Sequence, residues 1–261
     1  MRLLKLYRAF FRFNLMADMA YRSTFLFGVF LTCVESLAVF ISITVLFRHV
    51  NSIAGWSYEH MLILLGTFIL SNAAAWLLFR AGISDLDRVI NKGDLDWYLV
   101  KPIDTQLLVT IQRIDIEDAG RSLVGLALLI FGLRDSPTIE ILTRLPVFFI
   151  LFGSGQIVLY SIQLIFKSVS FKSIQGWATN SIAWRFHELA QFPTDIYRSL
   201  LRVVYTFIFP LAFIVTVPAK ALTGKLTVAL FFGSILAALV TFTAARLIWK
   251  RALRSYSSAS S

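Results

Sequence analysis

The chain has 261 residues and a net charge of +10, and 57% of its residues are hydrophobic while only 15% are charged. A soluble domain carries about 25% charged residues, so the composition excludes an ordinary soluble enzyme. The single cysteine, Cys33, excludes a disulfide framework and a cysteine-built metal site. Because the basic residues lie between long apolar runs, we expect a membrane surface as their partner and no nucleic acid.

The first 22 residues predict an interfacial amphipathic helix. Basic residues recur at positions 2, 5, 8 and 12, with leucines and aromatic residues between them. No small-residue cleavage site follows, so the segment is not typical of a signal peptide. We expect residues 1–22 to lie along the membrane with their apolar side in the headgroups; a solvated basic tail is the alternative.

Six segments predict membrane-spanning helices within a single transmembrane domain, 1–261. A span needs about 20 mostly apolar residues, and four segments meet this requirement: 24–47, 61–79, 145–166 and 226–249. The segment 104–133 becomes strongly apolar only towards its end. The segment 203–217 contains Pro210 and is followed by Pro218, which is typical of a short, kinked or re-entrant helix. The predicted fold class is an all-α membrane protein with six transmembrane helices.

The basic residues predict the orientation of these spans. With six spans, 20 of the 25 lysines and arginines, Arg202 among them, fall on one side of the membrane. The positive-inside rule makes this side cytoplasmic. We therefore expect a multi-pass protein of the inner (cytoplasmic) membrane with both termini in the cytoplasm.

The sequence offers little for catalysis. It has three histidines, and it contains no HExxH, CxxC or GxSxG motif and no phosphate-binding loop. Gly153-Ser154-Gly155-Gln156 lies inside an apolar span, where we expect its small residues to allow close helix packing. We therefore expect a chain that is not an enzyme and binds no cofactor. A function that needs ATP hydrolysis would therefore require another chain to hydrolyse the ATP.

We call the four segments that meet the length requirement the regular spans. Glu35 is the one carboxylate inside them. Burying an ionisable group in the membrane is costly, so such a group is a functional candidate. The other regular spans bring no histidine, aspartate or lysine to the same depth. We expect a contact between helices or the wall of a polar cavity, and give less weight to a proton relay.

The inner connection between the second and third spans has unusual chemistry. The stretch 80–121, which includes this connection, contains eight of the 15 acidic residues of the chain. Ser84-Asp85 and Gly93 predict the start and the end of a short helix. Ile83, Leu86 and Ile90 share its apolar face, so we expect it to lie across the inner membrane surface. Exposed aromatic residues beside charges, as in 94–99, favour a docking surface over a solvated loop.

Two further patterns lie near the inner surface. Arg113 with Glu117 and Asp118 with Arg121 have the spacing of ion pairs along one helix. The stretch 175–191 is too polar to span and too rich in tryptophan to be a free loop. We expect it to lie in the cytoplasmic interface.

Several short motifs occur in an order that is itself informative. They are Tyr21-Arg22, Gly93-Asp94-Leu95-Asp96 through Leu99 to Lys101-Pro102, Phe192-Pro193 through Ile196-Tyr197, Pro210-Leu211-Ala212-Phe213 and Pro218-Ala219. Through them the chain resembles the permease subunits of ATP-binding-cassette exporters of the second type. The similarity is to the small six-helix group that often pairs two different permeases with one ATPase.

The resemblance implies a half-transporter. The partners would be two copies of an ABC ATPase subunit carrying ATP and Mg, a second permease (a sister chain or a copy of this one) and membrane lipids. It implies a coupling helix in 81–102 that seats on the ATPase, and a re-entrant segment before the last span. The implied docking residues are Ile83, Asp85, Leu86, Asp87, Arg88, Ile90, Lys92, Gly93, Asp94, Leu95, Asp96 and Trp97.

Two other functions remain as alternatives. An ion-coupled transporter or channel without an ATPase requires paired intramembrane charges or inverted repeats, and the sequence offers only Glu35. An intramembrane enzyme requires a nucleophile or a metal cluster, which the spans lack. The transported substrate is not indicated by the sequence.

Overall fold

The computed structural model of the chain describes residues 2–171, 184–185, 187–197 and 199–256. The elements in these residues are helices, apart from one isolated antiparallel bridge between Ile53 and Trp56. The predicted all-α fold class is therefore confirmed. The α-helices are α1 (Arg2–Ala20), α2 (Arg22–Phe47), α3 (Tyr58–Ala75), α4 (Ala81–Ser84), α5 (Leu86–Asn91), α6 (Leu95–Leu99), α7 (Thr105–Ile111), α8 (Ala119–Leu133), α9 (Thr138–Ser168), α10 (Ser199–Val203), α11 (Thr216–Leu222) and α12 (Val228–Arg254).

The long helices form a bundle with two distinct ends. The ring of Tyr160 in α9 lies 5.4 Å from that of Phe79, just after α3, and 6.3 Å from that of Phe242 in α12. We call the end where α3, α9 and α12 begin the Trp56 end, and the opposite end the Trp97 end. Helices α2 and α8 run in the opposite direction, and both finish at the Trp56 end.

Four helices of the described part are long and apolar enough to cross a membrane. They are Arg22–Phe47, Tyr58–Asn91, Thr138–Phe171 and Val228–Arg254. The second continues from α3 through a π-helical turn, Trp76–Arg80, into α4 and α5. These four helices contain the four regular spans expected from the sequence. The count of six is not confirmed, because the other two predicted spans have a different form.

The predicted third span, 104–133, is not one helix. It consists of α7, an irregular stretch and α8, which has only 15 residues. At about 1.5 Å per residue, α8 extends for about 22 Å, less than the thickness of the hydrocarbon core. In the irregular stretch the Asp115 carboxylate accepts a hydrogen bond from the Glu117 amide at 3.2 Å. This local bond competes with the helical ladder.

Glycines allow the closest helix contacts. A Cβ on Gly66 of α3 would lie 2.8 Å from the carbonyl oxygen of Gly125 in α8. A Cβ on Gly155 of α9 would lie 2.6 Å from the carbonyl oxygen of Phe213. Gly153, two residues earlier, faces open space. The prediction of close packing at this motif therefore holds for Gly155 and is wrong for Gly153.

The predicted fifth span, 203–217, is a bent pair of helices. The segments Leu200–Ile208 and Leu211–Leu222 meet at an angle of 69°, next to Pro210, which cannot donate a backbone hydrogen bond. Arg202 donates to the Asp195 carbonyl at 2.7 Å, so the pair begins beside Asp195. Its other end returns to the same place, because Lys220 binds the Asp195 carboxylate at 2.8 Å.

The bent pair is therefore a hairpin whose two ends both lie at the Trp56 end. Asp195 accepts a hydrogen bond from the Trp56 indole at 3.1 Å, which fixes that location. The tip of the hairpin packs beside Gly155, in the middle of α9. Arg202 was expected on the side with most of the basic residues, and this expectation is wrong.

The residues before the hairpin extend along the bundle. Trp184 packs on Arg80, His187 stacks on Phe68 at 5.2 Å, and Asp195 reaches Trp56. The described part of this stretch thus progresses along α3 towards the Trp56 end. The expectation of an interfacial segment at 175–191 is wrong for Trp184, His187 and residues 189–191, because they lie against α3 and its continuation at Arg80. Residues 175–183 and 186 lie outside the described residues.

Helix α1 covers most of the predicted interfacial segment. The Tyr7 hydroxyl donates to the Leu77 carbonyl at 3.1 Å, and the Asn14 amide donates to the Gln112 carbonyl at 3.3 Å. These contacts hold α1 against the turn after α3 and the end of α7. The helix predicted at 1–22 therefore forms, while its place in the headgroups stays a prediction.

Candidate coupling surface

The segment 81–102, which we call the coupling segment, continues directly from α3. Helices α4 and α5 extend the same rod to Asn91. Gly93 then turns the chain with a φ of +73°, a conformation that glycine adopts without strain. Helix α6 follows, and the chain passes Lys101-Pro102 before α7 packs back against α4. The turn at Gly93 was expected. The helix start at Ser84-Asp85 is confirmed, since α5 begins at Leu86 with Asp85 as its N-cap, although α4 precedes it within the same long helix.

The apolar side of the coupling segment is buried in the protein. Leu86, Val89 and Leu95 pack against side chains of α7, α9 and α12, namely Val109, Leu164, Ala245 and Trp249. Each fully buried apolar side chain of this size contributes about 2 kcal/mol. The expectation that this side faces the membrane surface is therefore wrong. The coupling segment is fastened to the ends of α9 and α12.

A buried ion pair adds a second fastening. Lys167, near the end of α9, has a side chain that is only 1% exposed. Its ammonium binds the Asp87 carboxylate of α5 and donates to the Ser84 carbonyl at 3.3 Å. Removing either partner would leave a charge buried without its counter-ion. The pair therefore holds α5 to α9.

Asp85 connects the coupling segment to the stretch after α7. Its carboxylate accepts two hydrogen bonds from the Arg88 guanidinium, at 2.8 and 2.5 Å, and lies 3.4 Å from Arg113. The predicted pair of Arg113 with Glu117 is therefore not formed, because the helix that would align them is interrupted. The predicted pair of Asp118 with Arg121 is formed at 2.8 Å.

The outer side of the coupling segment is polar and aromatic. Arg88 lies 3.9 Å from Asp94, and both side chains are about half exposed. Trp97 is 72% exposed and Val100 is 77% exposed. Lys92 is exposed as well. A mixture of charges around an exposed tryptophan is typical of a surface that another protein covers.

The residues expected to dock therefore divide by burial. Ile83, Leu86 and Leu95 are buried and can only support the surface. Lys92, Arg88 and Trp97 are exposed. The remaining six are partly buried: Asp85, Asp87, Ile90, Gly93, Asp94 and Asp96. The docking role of the set stays a prediction.

A polar network lies beside the coupling segment. The Arg246 guanidinium of α12 binds the Asp104 carboxylate at 2.9 Å and the Gln106 side-chain oxygen at 2.6 Å. Gln106 donates in turn to the Tyr160 hydroxyl at 2.8 Å. The hydrogen bond from Arg246 holds the pKa of Asp104 below its usual range. This network joins α7 to α9 and α12.

Glu35 lies near the middle of α2 and has a partner. The Arg121 guanidinium at the start of α8 approaches its carboxylate to 3.1 Å. Arg121 also pairs with Asp118, which is buried. Glu35 forms part of the wall of a cavity of about 350 Å³. It therefore has both the contact between helices and the polar cavity that the sequence suggested.

Two further interior residues were not singled out from the sequence. Arg80 is buried, with its guanidinium carbon 4.3 Å from the Trp76 ring centre and 3.0 Å from that of Trp184. His187 stacks between Phe68 and Trp184. From the sequence alone, Arg80 marks the end of a span and His187 lies in a polar stretch. Trp76 and Trp184 could have indicated the position of Arg80, because aromatic faces attract guanidinium groups.

The comparisons with known proteins agree with this architecture. The model of a family described as "ABC-2 family transporter protein" matches residues 33–260. The comparison with curated proteins gives no match, and neither does the comparison with solved structures. The match covers far more than half of the chain. The chain therefore belongs to the ABC-2 transporter family and is a multi-pass membrane protein.

Proposed function

We propose that the chain is the permease subunit of an ATP-binding-cassette exporter, in which it forms half of the translocation path. ABC-2 family permeases generally work with ABC ATPase partners. In the proposed assembly two ATPase subunits hold ATP and Mg, and the second permease is a sister chain or a copy of this one. The chain itself contributes no catalytic residue.

The observation that carries the proposal is the two-sided construction of the coupling segment. Its outer side presents Arg88, Asp94 and Trp97, while its inner side is fastened to α9 and α12. A force applied at Trp97 would therefore reach both long helices as a rigid-body tilt. A solvated connecting loop would not need a buried ion pair such as Lys167 with Asp87.

The proposed orientation places the Trp97 end on the cytoplasmic side of the inner membrane. Most of the basic residues lie at this end, including Arg88, Lys92 and Arg113, and the positive-inside rule then makes it cytoplasmic. Helices α1 and α12 bring both termini to the same side. Arg202 lies at the Trp56 end, but one residue does not reverse the charge asymmetry.

The test is copurification and coupling with a matched control. The permease is expressed with its whole operon, and Asp94→Lys is compared with Asp135→Lys, which reverses an exposed carboxylate at the Trp56 end. We expect Asp94→Lys to reduce ATPase copurification and ATP-driven transport by about tenfold. The reason is that a reversed charge at the rim of an interface would be repelled by like charges on the partner. Asp135→Lys should leave both unchanged. Equal behaviour of the two variants would contradict the docking assignment.

The ion-coupled alternative is tested in the same preparation. It requires an ionisable group that can gain and lose charge at depth, but Glu35 already pairs with Arg121. We therefore expect no transport in ATP-free proteoliposomes under an ion gradient. Transport under those conditions would favour the alternative.

A further inference from the structure

The cavity beside Glu35 has features of a ligand site. It lies between α2, α3, α8 and the residues Trp184, Glu188 and Gln191, and its volume is about 350 Å³. Clefts that bind small molecules begin at about this volume. Glu35 is 68% exposed, lies in the middle of α2 and is the one charged residue of that helix apart from Arg22 at its start. A carboxylate at this depth requires water, a ligand or another protein beside it.

The charges around the cavity sum to an excess of one negative charge. Glu35 and Glu188 belong to its wall, and Asp118 lies behind it. Arg121 and Arg80 are the cations of the same group. Arg121 is already divided between Asp118 and Glu35. Glu188 is thus the carboxylate of the wall without an ion pair among the described residues.

A buried hydrogen-bond acceptor belongs to a residue in the wall of the same cavity. Asn72 belongs to the cavity wall and is only 3% exposed, and its side-chain oxygen has no partner among the described residues. A buried polar atom without a partner costs about 1–3 kcal/mol. Such atoms are uncommon in folded proteins and call for an explanation where they occur. A ligand with an N–H donor that reached this oxygen would give it the partner that it lacks.

The rest of the wall is apolar apart from Ser36 and Gln191. It includes Val39 of α2 and Phe68 and Ile69 of α3. A small hydrated ion would make no favourable contact with these apolar side chains. A ligand that fits both the acidic and the apolar part of the wall has a positively charged donor at one end and a hydrocarbon chain at the other.

We propose that this cavity binds an amphipathic ligand whose polar end is a protonated primary amine, placed between Glu188, Glu35 and the Asn72 oxygen, with its apolar chain along Val39, Phe68 and Ile69. The claim that this ligand is transported rests on the proposed function. The claim that the ligand binds in the cavity does not, because the site lies within one chain. An anionic ligand would meet the excess negative charge, and a quaternary amine would leave Asn72 without a donor.

Binding is measured by titration calorimetry on the full-length chain in phosphatidylcholine nanodiscs without an ATPase. The probe is n-octylammonium, and octanoate and octyltrimethylammonium are the comparison compounds. We expect saturable binding of octylammonium, weaker binding of the quaternary amine by about tenfold, and no saturable binding of octanoate.

The variants separate the contributions of the wall. Glu188→Gln and Asn72→Leu should each raise the dissociation constant for octylammonium by about tenfold. Asn72→Asp, which keeps the shape and adds charge, should retain or strengthen binding, so a folding defect at position 72 can be recognised. The control is Glu140→Gln, which removes a partly exposed carboxylate at the Trp56 end and should have no effect.

A second series distinguishes a lipid headgroup from a free amine. Phosphatidylethanolamine replaces part of the phosphatidylcholine in the nanodiscs. Competition with octylammonium would assign the site to the lipid ammonium, and absence of competition would assign it to free amines. Both results support the amine site.

Two results would overturn the proposal. One is the absence of saturable octylammonium binding to the unaltered chain. The other is binding that is unchanged in both Glu188→Gln and Asn72→Leu, or that octanoate matches. Because no ATPase is present, these results concern the cavity alone, and the Asp94→Lys experiment tests the proposed function separately.

Discussion

The Asp195 carboxylate lies 2.8 Å from the Lys220 ammonium, and this contact brings together the two ends of a helical hairpin. The indole of Trp56, in the connection between α2 and α3, donates to the same carboxylate at 3.1 Å. Three segments that are distant in sequence therefore meet at one aspartate. Their meeting places both Arg202 and Lys220 at the Trp56 end of the bundle and changes the topology expected from hydropathy.

The topology predicts a labelling pattern for cysteines. In a background with Cys33→Ser, we expect Arg202→Cys to react with a membrane-impermeant maleimide from the same side as Arg134→Cys. The reason is that Arg202 lies beside Asp195, which contacts Trp56. Lys92→Cys, in the coupling segment, should react only from the opposite side.

The sealed preparation is either intact cells or inverted vesicles, and the three variants are compared in both. Arg134 and Lys92 serve as references for the two sides, since both are exposed. If Arg202→Cys reacted from the same side as Lys92→Cys, the segment 203–217 would cross the membrane as the sequence predicts.

Helix formation could be predicted from the sequence much better than helix interruption. The four regular spans, the turn at Gly93 and α1 follow from apolar length, glycine and periodic charge. The break between α7 and α8 depends on Asp115 bonding a nearby amide and on Arg113 finding Asp85. Asp85 lies on a different helix, so no pattern within 104–133 could reveal that partner.

The coupling segment shows the same limit at the site itself. Its amphipathic pattern correctly placed Leu86 and Ile90 on one face, but periodicity does not say whether such a face meets lipid or protein. Trp249 and Leu164, which cover that face, come from helices that are distant in sequence. The partner of Glu35 was missed for a similar reason, since Arg121 lies at the start of the interrupted third span.

The contact between α9 and the hairpin tip predicts a difference between two neighbouring glycines. We expect Gly155→Ala to destabilise the protein by about 2 kcal/mol, because its Cβ would lie 2.6 Å from the Phe213 carbonyl oxygen, a backbone atom that cannot rotate away. Gly153→Ala should stabilise by about 0.5–1 kcal/mol, because alanine favours a helix and the space is open. Thermal unfolding of the purified variants measures both. Equal effects would contradict the close approach of the hairpin.

The buried pair between α9 and α5 predicts a non-additive pair of substitutions. Lys167→Met alone should destabilise by about 3 kcal/mol, because Asp87 would keep its charge in a largely buried place without its counter-ion. Adding Asp87→Leu should recover most of this loss, since an apolar pair of similar volume carries no desolvation cost. The free energies of unfolding of both single variants and the double variant form a double-mutant cycle. Additive losses would show that the two side chains do not act as a pair.

The meeting point at Asp195 predicts a loss of stability with a defined pH dependence. Burial alone would raise the pKa of Asp195, but the hydrogen bonds and charge of Lys220 and the hydrogen bond from Trp56 hold it below its ordinary value. A carboxyl group whose pKa is depressed by folding stabilises the protein above its unfolded pKa of about 4, and this contribution is lost as the pH falls through the folded pKa. Asp195→Asn should therefore cost about 2 kcal/mol at pH 7, and the difference from the unaltered protein should shrink below pH of about 4. Unfolding followed from pH 7 to pH 3 measures this difference, with Asp135→Asn as the control because Asp135 is an exposed carboxylate at the same end. A difference that stays constant over this range would mean that the Asp195 side chain acts through its shape and not through its charge.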